Sequence, residues 1–244
     1  MVISERYELL EEIGRGAMAS VYKAYDRKLM RMVAVKFVRN DNITPAVYNR
    51  LLRRFEREVH SLAKLFHANI APVYDYGSIN GRPYLVMALL EGGTLQARMN
   101  GPIDYREAAR ILAPIADALS YAHKAGIIHR DVKPSNIIFK DENMPLLADF
   151  GIAHLNDSSE GTLTVEGTGV GTPAYMAPEQ IGKQYDGRVD QYALGIVFYE
   201  MITGQKPFMA DTPLETMYLH RTHSLPDPRN YVPGLPSEIT RLFM

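Results

Sequence analysis

The sequence predicts an α+β fold in which a small antiparallel-sheet lobe precedes a larger, mainly helical lobe. Residues 7–13, 20–26 and 32–39 are rich in β-branched and aromatic side chains between short polar breaks, which indicates strands. From residue 44 the apolar side chains recur every three or four positions, which indicates a helix. Helical periodicity dominates after the glycine-containing break at 91–93, so we place the two lobes at residues 1–90 and 91–244.

One long helix and two further strands complete the first lobe. Thr44 suits the N-cap of the helix and Pro45 its first turn. The strands cover residues 71–76 and 83–90, and the Asn80-Gly81 pair between them favours a tight hairpin turn. The apolar face of the helix contains Leu51, Leu52, Phe55, Val59, Leu62 and Phe66.

The second lobe is predicted to contain two long helices and two short ones. The first helix covers residues 104–125, and Pro114 inside it predicts a kink because proline lacks a backbone N–H. The second covers residues 190–203 and ends at Gly204. Shorter helices are expected after Pro213 and after Ser237.

Charge and composition exclude several classes of protein. The 244 residues include 27 basic and 28 acidic side chains, so the net charge of −1 gives no field for wrapping nucleic acid. The absence of cysteine excludes disulfides, zinc–thiolate sites and thiol catalysis. The apolar stretches are far shorter than the roughly 18–20 residues that span a bilayer, and residues 1–7 lack the features of a secretory signal. We expect a cytoplasmic protein with no membrane segment in this chain.

A glycine-containing turn lies between the first two strands. Gly14 and Gly16 are followed by Ala19 at the position of the third glycine in the pattern G-x-G-x-x-G. Glycine allows a backbone to approach a phosphate closely. A Rossmann dinucleotide site is excluded because the turn leads into a strand instead of a helix. From this motif alone, a phosphate-binding loop and an ordinary hairpin turn both remain open.

Lys36 lies in an otherwise apolar strand, where an ammonium group is costly to bury without an anionic partner. Glu58 is the candidate partner because it shares the long helix with Phe55 and Leu62, three and four residues away. The alternative is a lysine that extends to solvent from the strand and a glutamate on a hydrated helix face.

The most specific motif covers residues 129–136, with the sequence HRDVKPSN, and is followed by Asp149-Phe150-Gly151. Two strand-like runs, 137–139 and 146–148, lie between the two parts. Asp131, Asn136 and Asp149 therefore offer oxygen-bearing side chains near two adjacent strand ends. Oxygen ligands of this kind are those that Mg²⁺ prefers.

These motifs resemble those of the eukaryotic-type (Hanks-type) Ser/Thr protein kinases, and most closely the bacterial members. The resemblance extends from Tyr7 to about Met244 and implies a bilobal protein-kinase-like fold. It implies that Lys36 binds the α- and β-phosphates of ATP while pairing with Glu58, and that Lys133 contacts the γ-phosphate. Asp131 would accept the proton of the substrate hydroxyl. Asn136 and Asp149 would hold Mg²⁺, with Mn²⁺ as an alternative.

The resemblance also implies the rest of an ATP site. The glycine-rich loop would close over the phosphates, Val21, Ala34 and Ile138 would enclose the adenine, Met87 would be the gatekeeper, and Ala88 to Leu90 would supply hinge hydrogen bonds. Taken one at a time, the aliphatic residues are better explained as core packing, since buried aliphatic side chains are the commonest core residues. The residues of the loop are Ile13, Gly14, Arg15, Gly16, Ala17, Met18 and Ala19.

Residues 155–170 form a polar stretch without periodicity and resemble an activation segment. Arg130 precedes the proposed base, and a phosphothreonine would provide the anion that this arginine needs. Thr164 is the first candidate, with Thr162 and Thr168 as alternatives, and a plain linker is the other explanation. Lys133 and Thr172 match the Ser/Thr subclass of the family.

Three positions depart from the family pattern. Ala88 replaces the usual hinge glutamate, and Tyr192 stands where a tryptophan is common. Similar domains continue for roughly 20 to 30 residues past the position of Met244, and this longer chain is still within the usual size of a domain. The additional residues include an arginine that pairs with the equivalent of Glu179. If Glu179 is buried without that arginine, a penalty of about 3–5 kcal/mol follows. His129 is expected to pack under Phe150, and the six other histidines are expected at the surface.

The leading hypothesis is an active kinase that transfers the γ-phosphoryl of ATP to protein Ser/Thr hydroxyls and phosphorylates its own activation segment, for which a homodimer would serve. The alternatives are an ATP-binding scaffold or an inactive truncated domain, and a small-molecule phosphotransferase of related fold. As part of a longer membrane-anchored protein, the domain would lie on the cytoplasmic face. The long helix also carries a group of basic residues, which form either a solvated face or a contact with a second copy or a regulator. These residues are Arg50, Arg53, Arg54 and Arg57.

Overall fold

The computed structural model describes residues 2–16, 19–38, 45–150, 173–182 and 184–243, with side chains in the first helix described from residue 52 onward. The chain divides into two compact units. The sheet unit contains the described residues of 1–66 and 70–91, and the helical unit contains residues 67–69, 92–150 and those described from 173 onward.

The sheet unit is built on six antiparallel strands in the order β1-β2-β3-β4-β6-β5. Their bounds are β1 Val2–Ile3, β2 Tyr7–Arg15, β3 Ala19–Asp26, β4 Arg31–Val38, β5 Val73–Ile79 and β6 Arg82–Ala88, and the helix α1 covers Pro45–Leu62. The five longer strands and α1 confirm the sequence prediction to within a few residues. The predicted N-cap, Thr44, lies outside the described residues.

The first strand was not predicted because it has only two residues. It nevertheless closes one face of the sheet, since Ile3 is fully buried and pairs with Tyr7. The hydrophobic cluster on that face consists of Ile3, Tyr7, Ala24, Val33, Val35, Tyr84 and Val86. Burial of these side chains provides most of the driving force for closing this face.

An arginine clamp fixes the entry into β2. Arg6 donates to both carboxylate oxygens of Asp26 at 2.9 and 2.8 Å and to Asp75 at 3.0 Å. The Asp26 side chain is 1% exposed. The hydrogen bonds from Arg6, with those from the backbone of Leu29 and Lys28, outweigh burial and lower the pKa of Asp26 to about 2.

The predicted hairpin between β5 and β6 is confirmed. Asn80 and Gly81 both have positive φ angles, 50° and 72°, and the flanking residues Ile79 and Arg82 pair directly. Two successive left-handed residues are the geometry for which Asn-Gly sequences are favoured.

The helical unit contains five helices and a two-stranded hairpin among its described residues. Helix α3 is continuous through Pro114, and Asp104 caps its start by accepting the backbone N–H of Arg106. The short helix α2 was not predicted, and Thr94 caps it. The elements are α2 Leu95–Arg98, α3 Tyr105–Lys124, β7 Ile137–Phe139, β8 Pro145–Leu147, α4 Arg188–Thr203, α5 Pro213–Thr222 and α6 Ser237–Thr240.

Within the described residues, no helix combines the length and the apolar character needed to cross a membrane.

Candidate active site

The glycine-containing turn joins β2 and β3 within the sheet unit. The N–H of Gly16 donates to the carbonyl of Ala19 at 2.8 Å, and Gly14 pairs with Val21. Ala17 and Met18 lie outside the described residues. A Cβ at Gly14 would come no closer than 3.8 Å to Val21, so packing of this hairpin does not itself require glycine there. Among the described residues, the space at Gly14 is compatible with close approach of a ligand to the backbone.

Strand register places Lys36 on a definite face of the sheet. Val21 is paired with Lys36, and Lys36 with Leu85, so these three residues share one face. Two residues along, Ala34 is paired with Met87 on the same face, and both are buried. This is the face opposite the core cluster, and Lys36 is itself only 9% exposed.

Helix α1 covers this same face. Phe55 is fully buried and packs edge-on against Tyr76, with ring centroids 6.3 Å apart. Tyr76 is paired with Leu85, which is in turn paired with Lys36. Glu58 lies three residues after Phe55 on α1 and is half-buried. Glu58, the predicted carboxylate partner, therefore lies on the helix that covers the face of the sheet where Lys36 is buried.

The hinge residues have different backbone environments. The N–H of Ala88 donates to the carbonyl of Pro72 at 3.0 Å, which ends the ladder of β6. Leu90 is half-buried, and its backbone N–H and C=O have no hydrogen-bond partner within the described ranges. Unpaired backbone groups at a half-buried position are suited to a ligand with complementary donors and acceptors.

In the helical unit, the carboxylate of Asp131 is held from one side. Its Oδ2 is 2.8 Å from the ammonium of Lys133 and 3.0 Å from the amide nitrogen of Asn136. The same amide nitrogen donates to the backbone carbonyl of Asp131 at 2.8 Å. Oδ1 therefore remains as the oxygen that can accept a further proton or hydrogen bond.

The β7–β8 hairpin brings the two candidate metal ligands to one end of a ladder. Asn136 immediately precedes β7, and Asp149 follows β8 by two residues. Ile137 is paired with Leu147, and the N–H of Ala148 donates to the carbonyl of Asn136 at 2.9 Å. Because Asn136 uses its amide nitrogen on Asp131, its amide oxygen is available as a cation ligand.

The residue that anchors this loop was not predicted from the sequence. Asp190 on α4 is 1% exposed and accepts the backbone N–H groups of His129 and Arg130, each at 2.7 Å. His123 lies 2.7 Å from the same carboxylate. Burial alone would raise the pKa of Asp190, but its hydrogen bonds to His123, His129 and Arg130 outweigh burial and lower it. The one available signal was an acidic residue at the start of an otherwise apolar helix.

His129 is a structural residue, as predicted. Its ring lies 4.5 Å from that of Phe150 by centroid and is fully buried. Nδ1 accepts the N–H of Asp131, so Nε2 carries the proton that is donated to the carbonyl of Ala148 at 2.9 Å. Burial lowers the pKa of His129 and keeps the ring neutral.

One residue of the loop and one residue after β8 have left-handed backbones, which are unusual without glycine. Arg130 has φ of 69° and Asp149 has φ of 65°. Such conformations cost of order 1–3 kcal/mol and persist where the surrounding contacts impose them. In the case of Arg130, the Asp190 carboxylate and the amide of Gln180 hold the backbone N–H and C=O.

The side chain of Arg130 is incompletely satisfied. Its Nε is buried and has no hydrogen-bond partner within the described part of the chain. The guanidinium carbon lies 5.9 Å from the ring centroid of Tyr185. A buried guanidinium nitrogen in this state favours binding of an anion.

In the C-terminal part of the chain, the condition considered for Glu179 is not met and one expectation is wrong. Glu179 is exposed, so its carboxylate stays hydrated and the penalty expected for a buried, unpaired glutamate does not arise. His220 was expected at the surface but is 5% exposed, because α5 packs it against Phe208 and Tyr192. Its Nδ1 lies 2.7 Å from the hydroxyl of Tyr192, which fills the position where tryptophan is common.

The sequence matches the family described as protein kinase domain over residues 7–232. The chain therefore belongs to the protein kinase family. This match confirms the predicted α+β protein kinase fold, and the relatives described next are bacterial proteins named serine/threonine-protein kinases.

One relative is the probable serine/threonine-protein kinase PknB of Bifidobacterium longum, 40% identical over 243 residues, which include 95% of this chain and 35% of the relative. The serine/threonine-protein kinase PknB of Mycolicibacterium smegmatis is 41% identical over 243 residues, 96% of this chain and 38% of the relative. The chain thus spans little more than a third of the length of these relatives.

The chain is also similar to a solved structure, a mutant kinase domain of PknI from Mycobacterium tuberculosis. The match covers 100% of this chain and 89% of the PknI chain, with a TM-score of 0.73 and 28% sequence identity.

Proposed function

We propose that this domain is a serine/threonine protein kinase that transfers the γ-phosphoryl group of ATP to hydroxyl groups of protein substrates. The observation that carries the proposal is the environment of Asp131, whose Oδ2 is held by Lys133 and Asn136 while Oδ1 is left available. A carboxylate fixed in this way can orient a substrate hydroxyl and accept its proton. Lys133 would contact the transferred phosphoryl group.

Asn136 and Asp149 are proposed to hold Mg²⁺, for which Mn²⁺ is the alternative. Their donor set fits a hard cation, since it consists of an amide oxygen and a carboxylate at the same end of the β7–β8 hairpin. When bound, the metal ion neutralises charge on the phosphate oxygens. The left-handed backbone of Asp149 is consistent with a functional constraint at this position.

In the sheet unit, Lys36 would bind the α- and β-phosphates and pair with Glu58. Burial of Lys36 on the face covered by α1 supports this role, because a buried ammonium requires anionic partners. The glycine-containing turn would bind phosphate through its backbone. Adenine would contact Val21, Ala34, Met87 and Ile138, and the hinge backbone at Ala88 and Leu90.

Regulation by phosphorylation is proposed at Thr164, with Thr162 and Thr168 as alternatives. All three residues lie outside the described residues, so the support comes from Arg130. The guanidinium of this half-buried residue, whose Nε has no hydrogen-bond partner among the described residues, would bind the phosphate group. We further propose that two copies of the domain meet for phosphorylation in trans, and that the domain works in the cytoplasm or at the cytoplasmic face of a membrane.

The decisive experiment is mass spectrometry of the purified chain after incubation with ATP and Mg²⁺, together with phosphate transfer to a generic Ser/Thr acceptor. We expect phosphate on the chain and on the acceptor, and loss of both in Asp131→Asn. Asp211→Asn, an exposed aspartate outside the site, is the matched control and should keep the activity.

The competing function is an ATP-binding scaffold without catalysis. It would be supported if ATP and Mg²⁺ raised the melting temperature of the folded protein while no phosphate was transferred. Equal turnover in Asp131→Asn and the unsubstituted protein would remove Asp131 as the base.

A further inference from the structure

We infer that Arg98 is a positioning residue for the adenine part of ATP, acting through the strand that carries Ile138. This inference rests on the proposed kinase function and adds a residue to which the motifs assign no role. Arg98 ends the short helix α2, at a position that sequence analysis left without secondary structure.

The guanidinium of Arg98 ties together three backbone segments. Nη1 donates to the carbonyl of Glu142 at 2.7 Å. Nη2 donates to the carbonyl of Gly92 at 2.8 Å and to that of Asp141 at 3.3 Å. Hydrogen bonds from a charged donor to carbonyls are stronger than neutral ones. One side chain thus joins α2, the segment that precedes it and the turn of the β7–β8 hairpin.

The same guanidinium also lies over the aromatic ring of Phe139 in β7. Its central carbon is 3.5 Å from the ring centroid of Phe139, which is 1% exposed. A cation over an aromatic face at this distance is attracted by the ring, and a lysine cannot reproduce the planar stack together with the forked hydrogen bonds.

Phe139 and Ile138 point to opposite faces of β7 because side chains alternate along a strand. Ile137 and Phe139 are buried in the helical unit, whereas Ile138 is half-buried on the other face, where it is proposed to contact adenine. Arg98 therefore supports β7 from the side that faces away from the nucleotide.

The segment next to Arg98 is packed closely against the same strand. The N–H of Gly92 donates to the carbonyl of Phe139 at 2.9 Å, and the N–H of Phe139 donates to the carbonyl of Gly93 at 2.8 Å. Thr94 forms an isolated bridge with Ile138. Arg98 holds this arrangement from outside by binding the carbonyl of Gly92. Its removal should loosen β7 at Ile138.

The loop of residues 129–136 has its own anchor in Asp190 and is not contacted by Arg98 through any hydrogen bond of the described residues. ATP binding, which depends on Arg98, should therefore be separable from catalysis, which depends on the loop held by Asp190. Loss of Arg98 should weaken ATP binding while the turnover of bound ATP is kept.

The test compares steady-state phosphorylation by the full chain and by Arg98→Met, which keeps an apolar stem over Phe139 but removes the donors. We expect the KM for ATP to rise about fivefold, which corresponds to roughly 1 kcal/mol. The kcat and the KM for the acceptor peptide should stay within about twofold. The inhibition constant of adenosine, which has no phosphates, should rise in parallel with the KM for ATP.

Two further variants keep the test informative if Arg98→Met folds poorly. Arg98→Lys retains the charge and is expected to restore only part of the ATP affinity. Arg106→Met is the matched control, because the Arg106 guanidinium also lies over an aromatic ring, that of Tyr105 at 4.6 Å, but is exposed and, among the described residues, donates no hydrogen bond to the β7–β8 hairpin. It should leave every kinetic constant unchanged.

Three results would overturn the inference. One is an unchanged KM for ATP in both Arg98 variants, and another is an equal rise in the KM for ATP and for the peptide. The third is a lowered melting temperature with unchanged kinetic constants, which would leave Arg98 with a purely stabilising role. Absence of activity in the unsubstituted chain would instead contradict the proposed kinase function.

Discussion

Oδ2 of Asp190 accepts the backbone N–H of His129 at 2.7 Å, so helix α4 directly holds the start of the loop that carries Asp131. Oδ1 holds the next N–H, that of Arg130. A carboxylate can accept both hydrogen bonds at once, whereas an asparagine would present one NH₂ group to a donor.

Asp190→Asn should therefore lower kcat by about 10- to 100-fold, because small displacements of a catalytic group have effects of this size. The KM for ATP should change much less. The control is Asp186→Asn, since Asp186 is an exposed aspartate paired with Arg188. A folded Asp190→Asn protein with full kcat would show that the loop keeps its geometry without this carboxylate.

Substitution of Arg6 tests the clamp at the start of β2. Arg6→Gln leaves the buried carboxylate of Asp26 with its backbone donors and the more distant Arg31, whose Nε is 3.9 Å away, so the free energy of unfolding should fall by about 3 kcal/mol. Urea denaturation measures this change. Arg27→Gln, which breaks an exposed pair with Glu8, should cost less than about 1 kcal/mol. Similar losses in the two variants would contradict the burial argument.

The buried imidazole of His220 predicts a pH dependence of stability. Burial lowers the pKa of His220 from 6.5 to about 4, and the backbone carbonyl of Ala174, which favours the protonated ring, offsets only part of this effect. The unfolded chain binds the proton more readily, so His220 should remove stability as the pH falls from about 6.5 to about 4. The loss approaches roughly 3 kcal/mol at the acid limit.

Urea denaturation at several pH values measures the contribution of His220. His220→Gln should show a shallower fall in stability between pH 6.5 and 4 than the unsubstituted chain, while His223→Gln, at an exposed site, should not. Buried His129 contributes to the common background in all three proteins. An unchanged slope in His220→Gln would show that His220 does not titrate in this range.

Gly92 is required by close packing. A Cβ there would lie 2.6 Å from the carbonyl oxygen of Phe139, and backbone cannot move aside cheaply. Gly92→Ala should lower the free energy of unfolding by about 1–3 kcal/mol. Gly234→Ala, where a Cβ meets nothing within 4 Å, should change it by less than about 0.5 kcal/mol. Thermal denaturation of the two variants decides whether the contact has this cost.

Much of the fold followed from local patterns. Period-2 and period-3.6 segments of seven or more residues were found at nearly their observed bounds, as for α3 and β6, because each buries one face. The two-residue β1 and the four-residue α2 carry too few positions for a period to show. Both depend on partners elsewhere, Tyr7 for β1 and the β7–β8 hairpin for α2.

The candidate site was predictable where motifs name chemistry and unpredictable where contacts join distant parts of the chain. Asp131, Lys133 and Asn136 lie within one short loop, and their mutual contacts follow from that proximity. Asp190 is about 60 residues from its backbone partners, and His220 is 28 from Tyr192. No sequence periodicity encodes such pairs, since tertiary packing alone decides which polar groups meet.

The two-residue strand at the beginning of the sheet has a practical consequence for protein engineering. Ile3 is fully buried, and the hydroxyl of Ser4 is 2.6 Å from that of Tyr84. Trimming the first five residues to obtain a shorter expression fragment would expose Tyr7 and Tyr84 to solvent and create an open sheet edge prone to self-association. Fusion partners should be attached ahead of Val2 through a flexible spacer, so that Ile3 can still reach its position.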